Sequence, residues 1–396
     1  MSLAINKPAV TIIGAGIGGL SAAIALQQQG VKVKVFEKAT ELTETGAGIV
    51  LAANAIKALE KLGVANQVRQ WGSPVKKAEI RTSDGKLIVN MPVHQQAERY
   101  GTYSYLIYRP DLQRILYENL KPDTVVFGKK FSGMEQDLKK CTSFFEDGEK
   151  DTADLLIGAD GVHSRVRKEI VEDSPLRYSG FTAFRGISYF ADERFPEELG
   201  GGFEAWGRGK RFGFSHLGKG RVFWFAAVNM PEGTFTALAK KKKTVLHHFH
   251  RWWGPIEAVI DSTEDSKILV HEIFDRKPVD SWHKGRAVLL GDAAHPMLPN
   301  LGQGGAQAME DALILKNCLK QNPAEIEQAL NQYEHLRRAR TKKIVQSSRM
   351  MAEMMQLENS AAIRLRNHLL RKTPDAIKIK RLDWVLGYNA ADLIER

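Results

Sequence analysis

The stretch Gly14-Ala-Gly16-Ile-Gly-Gly19, directly behind an apolar run at residues 10–13, constrains this chain more than any other feature. So short an apolar run reads as a buried strand, and residues 17–29 behind it read as a helix stopped by Gly30. Residues 31–36 resume as a strand, and a strand–helix–strand unit with short turns calls for a parallel sheet. In the turn, Gly14 permits the tight bend, Gly16 lets backbone approach a pyrophosphate, and Gly19 lets helix and strand pack closely. The helix start then offers unpaired N–H groups and a positive dipole end to phosphates. Glu37 ends the following strand, placed to bond a ribose diol. It disfavours a 2′-phosphate, while the adjacent Lys38 counters that preference; both are candidate cofactor contacts. The motif suits FAD and NAD equally.

Further along, residues 105–108 read as a strand, and Pro110 stands where a helix begins that runs to about Leu120. Residues 155–157 and 287–290 are two more short apolar strands, each followed by a glycine and aspartate turn. The middle of the chain has another texture. Residues 181–190, 211–216 and 222–228 are aromatic and β-branched, divided by glycine turns, and predict an antiparallel sheet. The expected fold is therefore α/β: a Rossmann-type domain with a parallel sheet, an antiparallel-sheet substrate domain, and C-terminal helices. The expected division is discontinuous, with 1–75, 101–175 and 279–330 binding FAD, 76–100 and 176–278 binding substrate, and 331–396 helical.

Composition excludes several function classes. The formal charge is +11, but Lys240-Lys-Lys-Lys243 is the only tight basic run, and no helix-turn-helix, zinc spacing or RNP-type motif accompanies it. We read a solvated basic face, with no nucleic-acid partner, that favours anionic small molecules. No apolar segment is long enough to span a bilayer, and MSLAINKPAV lacks the basic and apolar regions of an export signal. Cys141 and Cys318 stand alone, which fits a reducing cytoplasm. Nothing in the sequence specifies the oligomeric state.

Two further motifs carry chemistry. Gly158-Ala-Asp160-Gly161-Val-His-Ser164-Arg165-Val-Arg167 follows one short strand. Gly291-Asp292-Ala-Ala-His-Pro-Met-Leu-Pro299-Asn-Leu-Gly302-Gln303-Gly304-Gly305 follows another, with four glycines and two prolines in fifteen positions. No second GxGxxG with its strand and helix occurs. That disfavours flavoproteins with separate FAD and NAD(P)H Rossmann domains.

With these three motifs in this order, the chain resembles the class A FAD-dependent aromatic hydroxylases of the para-hydroxybenzoate hydroxylase fold. The resemblance spans about residues 8–345 and is greatest to the salicylate hydroxylase, urate hydroxylase and zeaxanthin epoxidase group. It implies that Asp292 bonds the ribityl chain of FAD and that Pro299 and residues 301–304 pass beside the isoalloxazine ring. Backbone N–H groups of Gly302, Gln303 and Gly304 would then face the anionic edge of a reduced flavin. Glu310 and Asp311 would suit the dipole of the helix that follows. The resemblance also places Asp160, with Arg165 or Arg167, near the pyrophosphate and the transient NAD(P)H path. Arg109 and Gln113, four apart on one helix face, would lie near flavin and pyrophosphate. Gly48, in Gly46-Ala-Gly48, belongs to a segment covering the flavin's other side.

For the substrate, period-two alternation puts Phe223 and Phe225 on one face of a strand and Val222 and Trp224 on the other. Arg211 corresponds to an arginine that faces substrate in urate hydroxylases. Phe223 stands where those enzymes carry a tyrosine, which argues against urate itself. His216 is a candidate polar contact, with packing the favoured alternative, and Pro299 could touch substrate as well as flavin. No catalytic side chain is assigned. His247, His248 and His250 lack metal-site spacing, so no metal is expected. Met350, Met351, Met354 and Met355 are expected to pack a C-terminal helix against the body, or to line an apolar entrance. His295 is read as structural.

The implied activity uses NADH or NADPH as co-substrate to reduce FAD. One atom of O₂ then enters an aromatic or unsaturated small molecule through a C4a-hydroperoxyflavin, and the other leaves as water. An epoxidase or a flavin-dependent reductase on the same fold is the alternative, with a non-catalytic flavin-binding protein behind it.

Overall fold

The computed structural model describes residues 7–42, 44, 46–171, 174–234 and 240–390. The start of MSLAINKPAV, on which the export reading partly rests, lies outside them, as do residues 172–173 and 235–239 and the end of the C-terminal segment.

A six-stranded sheet organises the nucleotide end, in the order His283–Lys284, Ala287–Leu289, Leu155–Gly158, Ala9–Ile13, Lys32–Phe36, Val125–Val126. Its neighbours are parallel except for the His283–Lys284 edge, which turns back on Ala287–Leu289. The central strands are short and apolar because both faces are covered: Ile12, Leu155, Leu156, Ile157 and Val288 are buried completely. One covering element is the helix Ile17–Gln27, whose Ala22, Ala23 and Ala25 let it lie close to the sheet. It packs in turn against the helix Gly304–Gln321.

A seven-stranded sheet forms the other large layer, in the order Leu269–Asp275, Arg177–Tyr189, Arg221–Asn229, Lys210–Gly218, Gly202–Trp206, Ala78–Thr82, Leu87–Asn90. The sequence predicts it as antiparallel, yet Gly202–Trp206 and Ala78–Thr82 run parallel. Those two strands are far apart in the chain, so no hairpin constrains their direction. One face carries Phe184, Phe212, Phe214 and Trp224 into an aromatic core beneath the helices Lys241–Phe249 and Ile256–Asp261. Phe212 stacks on Trp224 with ring centroids 5.8 Å apart, and the Trp224 Nε1–H donates to Thr263 Oγ1 at 2.9 Å. The buried indole therefore keeps its hydrogen bond. The opposite face is left for the site.

A small sheet of Gly48–Leu51, Tyr105–Tyr108 and Ser73–Pro74 lies between the two large layers. The long helix Ile326–Met355 then closes the body. Its methionines do not act together: Met350 is 69% exposed, whereas Met355 is buried. Among the described residues no helix is long and apolar enough to cross a membrane.

Candidate flavin and substrate site

The glycine turn is built as its spacing requires. Gly14 has φ +104°, and a Cβ there would stand 2.5 Å from the Ala159 carbonyl oxygen. A Cβ on Gly19 would stand 2.0 Å from the Gly14 carbonyl oxygen. Gly16 differs, because a Cβ there would meet only open space. That space is a cavity of about 380 Å³ lined by Gly14, Gly16, Glu37, Lys38, Arg109 and Asp160, among others. Glu37 is held in its wall by two backbone donors, the Ala15 N–H at 2.8 Å and the Ala39 N–H at 2.9 Å. Lone pairs on both carboxylate oxygens stay available to a diol.

Not every residue expected near the dinucleotide faces this cavity. Gln113 does not line this cavity; its Nε2 donates to the Ala15 carbonyl at 2.7 Å and steadies the glycine turn from behind. Asp160 lines it, but its carboxylate also accepts from Ser164 Oγ and from the Arg165 and Val166 N–H groups, capping the helix Arg165–Ile170. Burial pushes the Asp160 carboxyl above its ordinary value, against those hydrogen bonds. Arg167 points inward and donates to the Ala293 and Ala294 carbonyls at 2.8 and 2.9 Å, bracing the Gly291-Asp292 turn. Arg165 stays in the cavity wall but is paired with Glu146.

Asp292 stands out within its turn. Gly291 and Ala293 are buried, whereas Asp292 is exposed and bonds to no described residue. The protein packed around it still pushes its carboxyl above the ordinary value, with His295 and Arg109 pulling the other way. Its Oδ1 lies 3.6 Å from where a Cβ on Gly304 would stand, so the aspartate and the glycine turn share one wall. The helix begins at Gly304, and Gln303 is its N-cap. Of the three amides expected to face the flavin, that of Gly302 is already spent on Pro299 O at 2.9 Å. Those of Gln303 and Gly304 make no bond to a described residue, because the first amides of a helix have no carbonyl a turn behind them to reach. Pro299 is exposed at the start of the turn Pro299–Leu301. Gln303 is fully buried, its side-chain Oε1 accepting from Asn54 Nδ2 at 2.9 Å, whereas Gly304 is only partly covered.

Behind this wall lies a charged network that sequence reasoning missed. Glu310 and Asp311 do not serve the helix dipole. Arg337 donates to Asp311 at 2.6 Å and to Glu310 at 2.7 Å, Arg340 also holds Glu310, and Asn54 donates to Glu310 at 2.7 Å. Asp311 in turn accepts from the Gly291 N–H at 2.9 Å and bonds His295 Nε2 at 2.6 Å. His295 is thus structural. The available signal was a Glu-Asp pair inside the otherwise apolar run Ala308 to Leu315, which cannot be buried without cations.

The free face of the seven-stranded sheet supplies the roof. Phe223 and Phe225 project there together, with ring centroids 6.2 Å apart. Gly48 packs against this roof: a Cβ on it would stand 2.6 Å from the Phe223 ring. On the other side of that strand, Ile49 lies 3.0 Å from where a Cβ on Gly305 would stand. The strand Gly48–Leu51 is therefore held between roof and glycine turn. Arg211 is buried beside Phe225, with its guanidinium 5.0 Å from the ring centroid. Its Nη1 reaches Glu204 only at 3.4 Å and Met355 Sδ at 2.8 Å, while its Nε has no partner. Burial lowers the Arg211 pKa, against the pull of Glu204. Arg185, also missed, lies opposite Phe225 in register and so on this same face. Its pKa is lowered by burial and by Arg211 and Arg109. His216 is a correction: it lies on the opposite face, bonded to Phe195 O at 2.7 Å and edge-on to Phe214. Period two separates it from Arg211 by an odd number of residues, so the two cannot share a face. Among the described residues no cluster could hold a metal ion.

The FAD binding domain family matches residues 7–348 of this chain. The chain belongs to the class A flavoprotein monooxygenases. It is 38% identical to the aurachin C monooxygenase/isomerase of Stigmatella aurantiaca, over 91% of this chain and 93% of that protein. It is 33% identical to a FAD-dependent urate hydroxylase of Klebsiella pneumoniae, over 85% and 88%. The crystal structure of Klebsiella pneumoniae HpxO complexed with FAD and uric acid matches with a TM-score of 0.87 at 30% identity, over 94% of this chain and 95% of that one.

FAD is thus the cofactor of this monooxygenase, and the cavity residues suit it. Gly16 opens onto space where backbone can meet a diphosphate, Glu37 has capacity for a diol, and Asp292 offers an unpartnered carboxylate. The Gln303 and Gly304 amides, unbonded to any described residue, suit an anionic ring edge.

Proposed function

We propose that this flavoprotein consumes NADH or NADPH and O₂ to insert one oxygen atom into an electron-rich aromatic small molecule. The balance is substrate, O₂, NAD(P)H and a proton giving oxygenated substrate, water and NAD(P)⁺. The observation that carries the reading is the strand Gly48–Leu51, which touches the Phe223 roof on one side and the glycine turn on the other. A ring bound under Phe223 and Phe225 would lie within reach of whatever the turn holds.

Bound FAD would supply the electron transfer and the activation of oxygen. The protein's own residues do the rest. Gly14, Gly16, Glu37, Lys38, Arg109 and Asp160 would bind the dinucleotide, and Asp292 would orient the ribityl chain. The Gln303 and Gly304 amides would stabilise negative charge beside Pro299. Arg211, a buried cation with an unsatisfied Nε, would hold an anionic oxygen of the substrate, and the phenylalanines would exclude water. In this reading the FAD-binding part comprises 1–75, 101–175 and 279–330, interrupted by the substrate part, and the enzyme works in the cytoplasm.

The relatives' names support aromatic substrates: 3-amino-4-hydroxybenzoate in a Streptomyces cremeus monooxygenase and 6-hydroxynicotinate in a Pseudomonas fluorescens one. A screen for aromatic compounds that accelerate NAD(P)H oxidation by the FAD-loaded protein tests the reading. A stimulating compound recovered with one added oxygen supports it. Stimulation with no compound, across hydroxybenzoates, hydroxypyridines and alkyl-substituted phenols, contradicts it.

A further inference from the structure

A cavity of about 340 Å³ starts at the roof, where Val50, Phe223, Phe225 and Met355 line it, and continues away from the glycine turn. Its far part lies between the seven-stranded sheet and two helices, Val93–Tyr100 and Asp383–Leu386. There the wall is mostly hydrocarbon, from Ile80, Met91, Val93, Ala97, Leu382 and Leu386. Polar side chains also line the cavity, Thr102, Ser104 and Ser215 among them, but the charged ones are paired. Glu79 pairs with Lys77 and Arg81, and the Tyr100 hydroxyl donates to Asp383 at 2.8 Å. Gln96 Nε2 has no acceptor, but that atom is buried within the wall.

The outer wall is fastened. Arg99 donates to Asp383 at 2.7 Å, so the helix Val93–Tyr100 holds the C-terminal helix across the cavity. The family match ends at residue 348, whereas Met355, Leu382 and Leu386 all lie beyond it.

We propose that this extension is a tail pocket, and that the substrate is an aromatic ring carrying an apolar chain several carbons long. The proposal rests on the monooxygenase reading for the location of the ring. A ring under Phe223 and Phe225 leaves the extension to its substituent. A mostly hydrocarbon wall selects an alkyl or alkenyl chain by burying it. The C-terminal helix is then a specificity-determining element.

The test measures binding of a 4-alkylphenol series, methyl to pentyl, to the FAD-loaded protein through the change in flavin absorbance. Each added methylene should tighten binding about fourfold, from about 0.8 kcal/mol per buried methylene. Leu386→Trp and Val93→Trp fill the extension from opposite walls, so either serves if the other fails to fold. In each, the gain per methylene should fall below twofold. A flat series, absent binding, or an undiminished gain in a folded variant overturns the tail pocket. The readout is binding, so it separates from the monooxygenase reading: phenols that bind in a graded series without being oxygenated would count against oxygen transfer and not against the pocket.

Discussion

Arg337 Nε lies 2.6 Å from Asp311 Oδ1, in a pair buried completely beneath the flavin wall. Through Asp311 it fixes the Gly291 N–H and His295, and through Glu310 it fixes Asn54 and thereby Gln303. Arg337→Met should therefore cost about 3–5 kcal/mol, because it leaves buried carboxylates uncompensated. Chemical denaturation with and without added FAD checks this. A loss under about 1 kcal/mol would remove the network from its supporting role.

The same pair predicts an acid response. Burial pushes the Asp311 carboxyl up, but His295 and Arg337 outweigh it and hold the group at about 2, against an ordinary 3.8. A carboxyl depressed in the folded state stabilises fully above its ordinary value and loses that contribution as pH falls toward the folded one. Roughly 2 kcal/mol should vanish between about pH 4 and pH 2. Stability of Asp311→Asn measured over that range should fall less steeply than that of the wild type. Parallel curves would contradict the assignment.

Asp292→Ala should weaken FAD binding by about 1.5–3 kcal/mol, the worth of hydrogen bonds to a charged group. Because Asp292 bonds no other described residue, folding should suffer little. Flavin absorbance after dialysis and a thermal melt of the apoprotein separate the two effects. Normal FAD retention would sink the role given to Asp292.

Gly48→Ala places a methyl 2.6 Å from the Phe223 ring and should cost about 1–3 kcal/mol by overpacking. Phe223→Leu should recover part of that loss. A double-mutant cycle that finds the two substitutions additive would show that strand and roof are not coupled.

Arg211→Met removes a buried cation that has only one distant carboxylate, so stability should change little or rise. Affinity for an anionic aromatic substrate should fall about tenfold or more, as loss of a charge-assisted bond implies. Comparing KM with the melting temperature decides between a binding arginine and a structural one.

Much of this arrangement was legible because local chemistry demands it. Gly14, Gly16 and Gly19 sit where a turn, an open approach and a close packing require glycine, and period two sends Phe223 and Phe225 to one face. Other parts depended on partners distant in the chain. Gln113 and Arg167 turn inward to carbonyls of Ala15 and Ala293, which no spacing rule reveals. The favoured packing reading of His216 holds, and its odd separation from Arg211 already separates the two faces. Glu310 and Asp311 fit a dipole role by position alone, and only Arg337, from the next helix, shows what they hold. The tail pocket needed the contact of Asp383 with Arg99, far apart in the sequence.

Oxygen transfer itself is tested most directly by turnover under isotopically labelled O₂, with NAD(P)H and a substrate that stimulates its oxidation. Mass analysis of the product should find one labelled oxygen atom, with the second label in water. A product free of label, formed while NAD(P)H is consumed, would contradict monooxygenation.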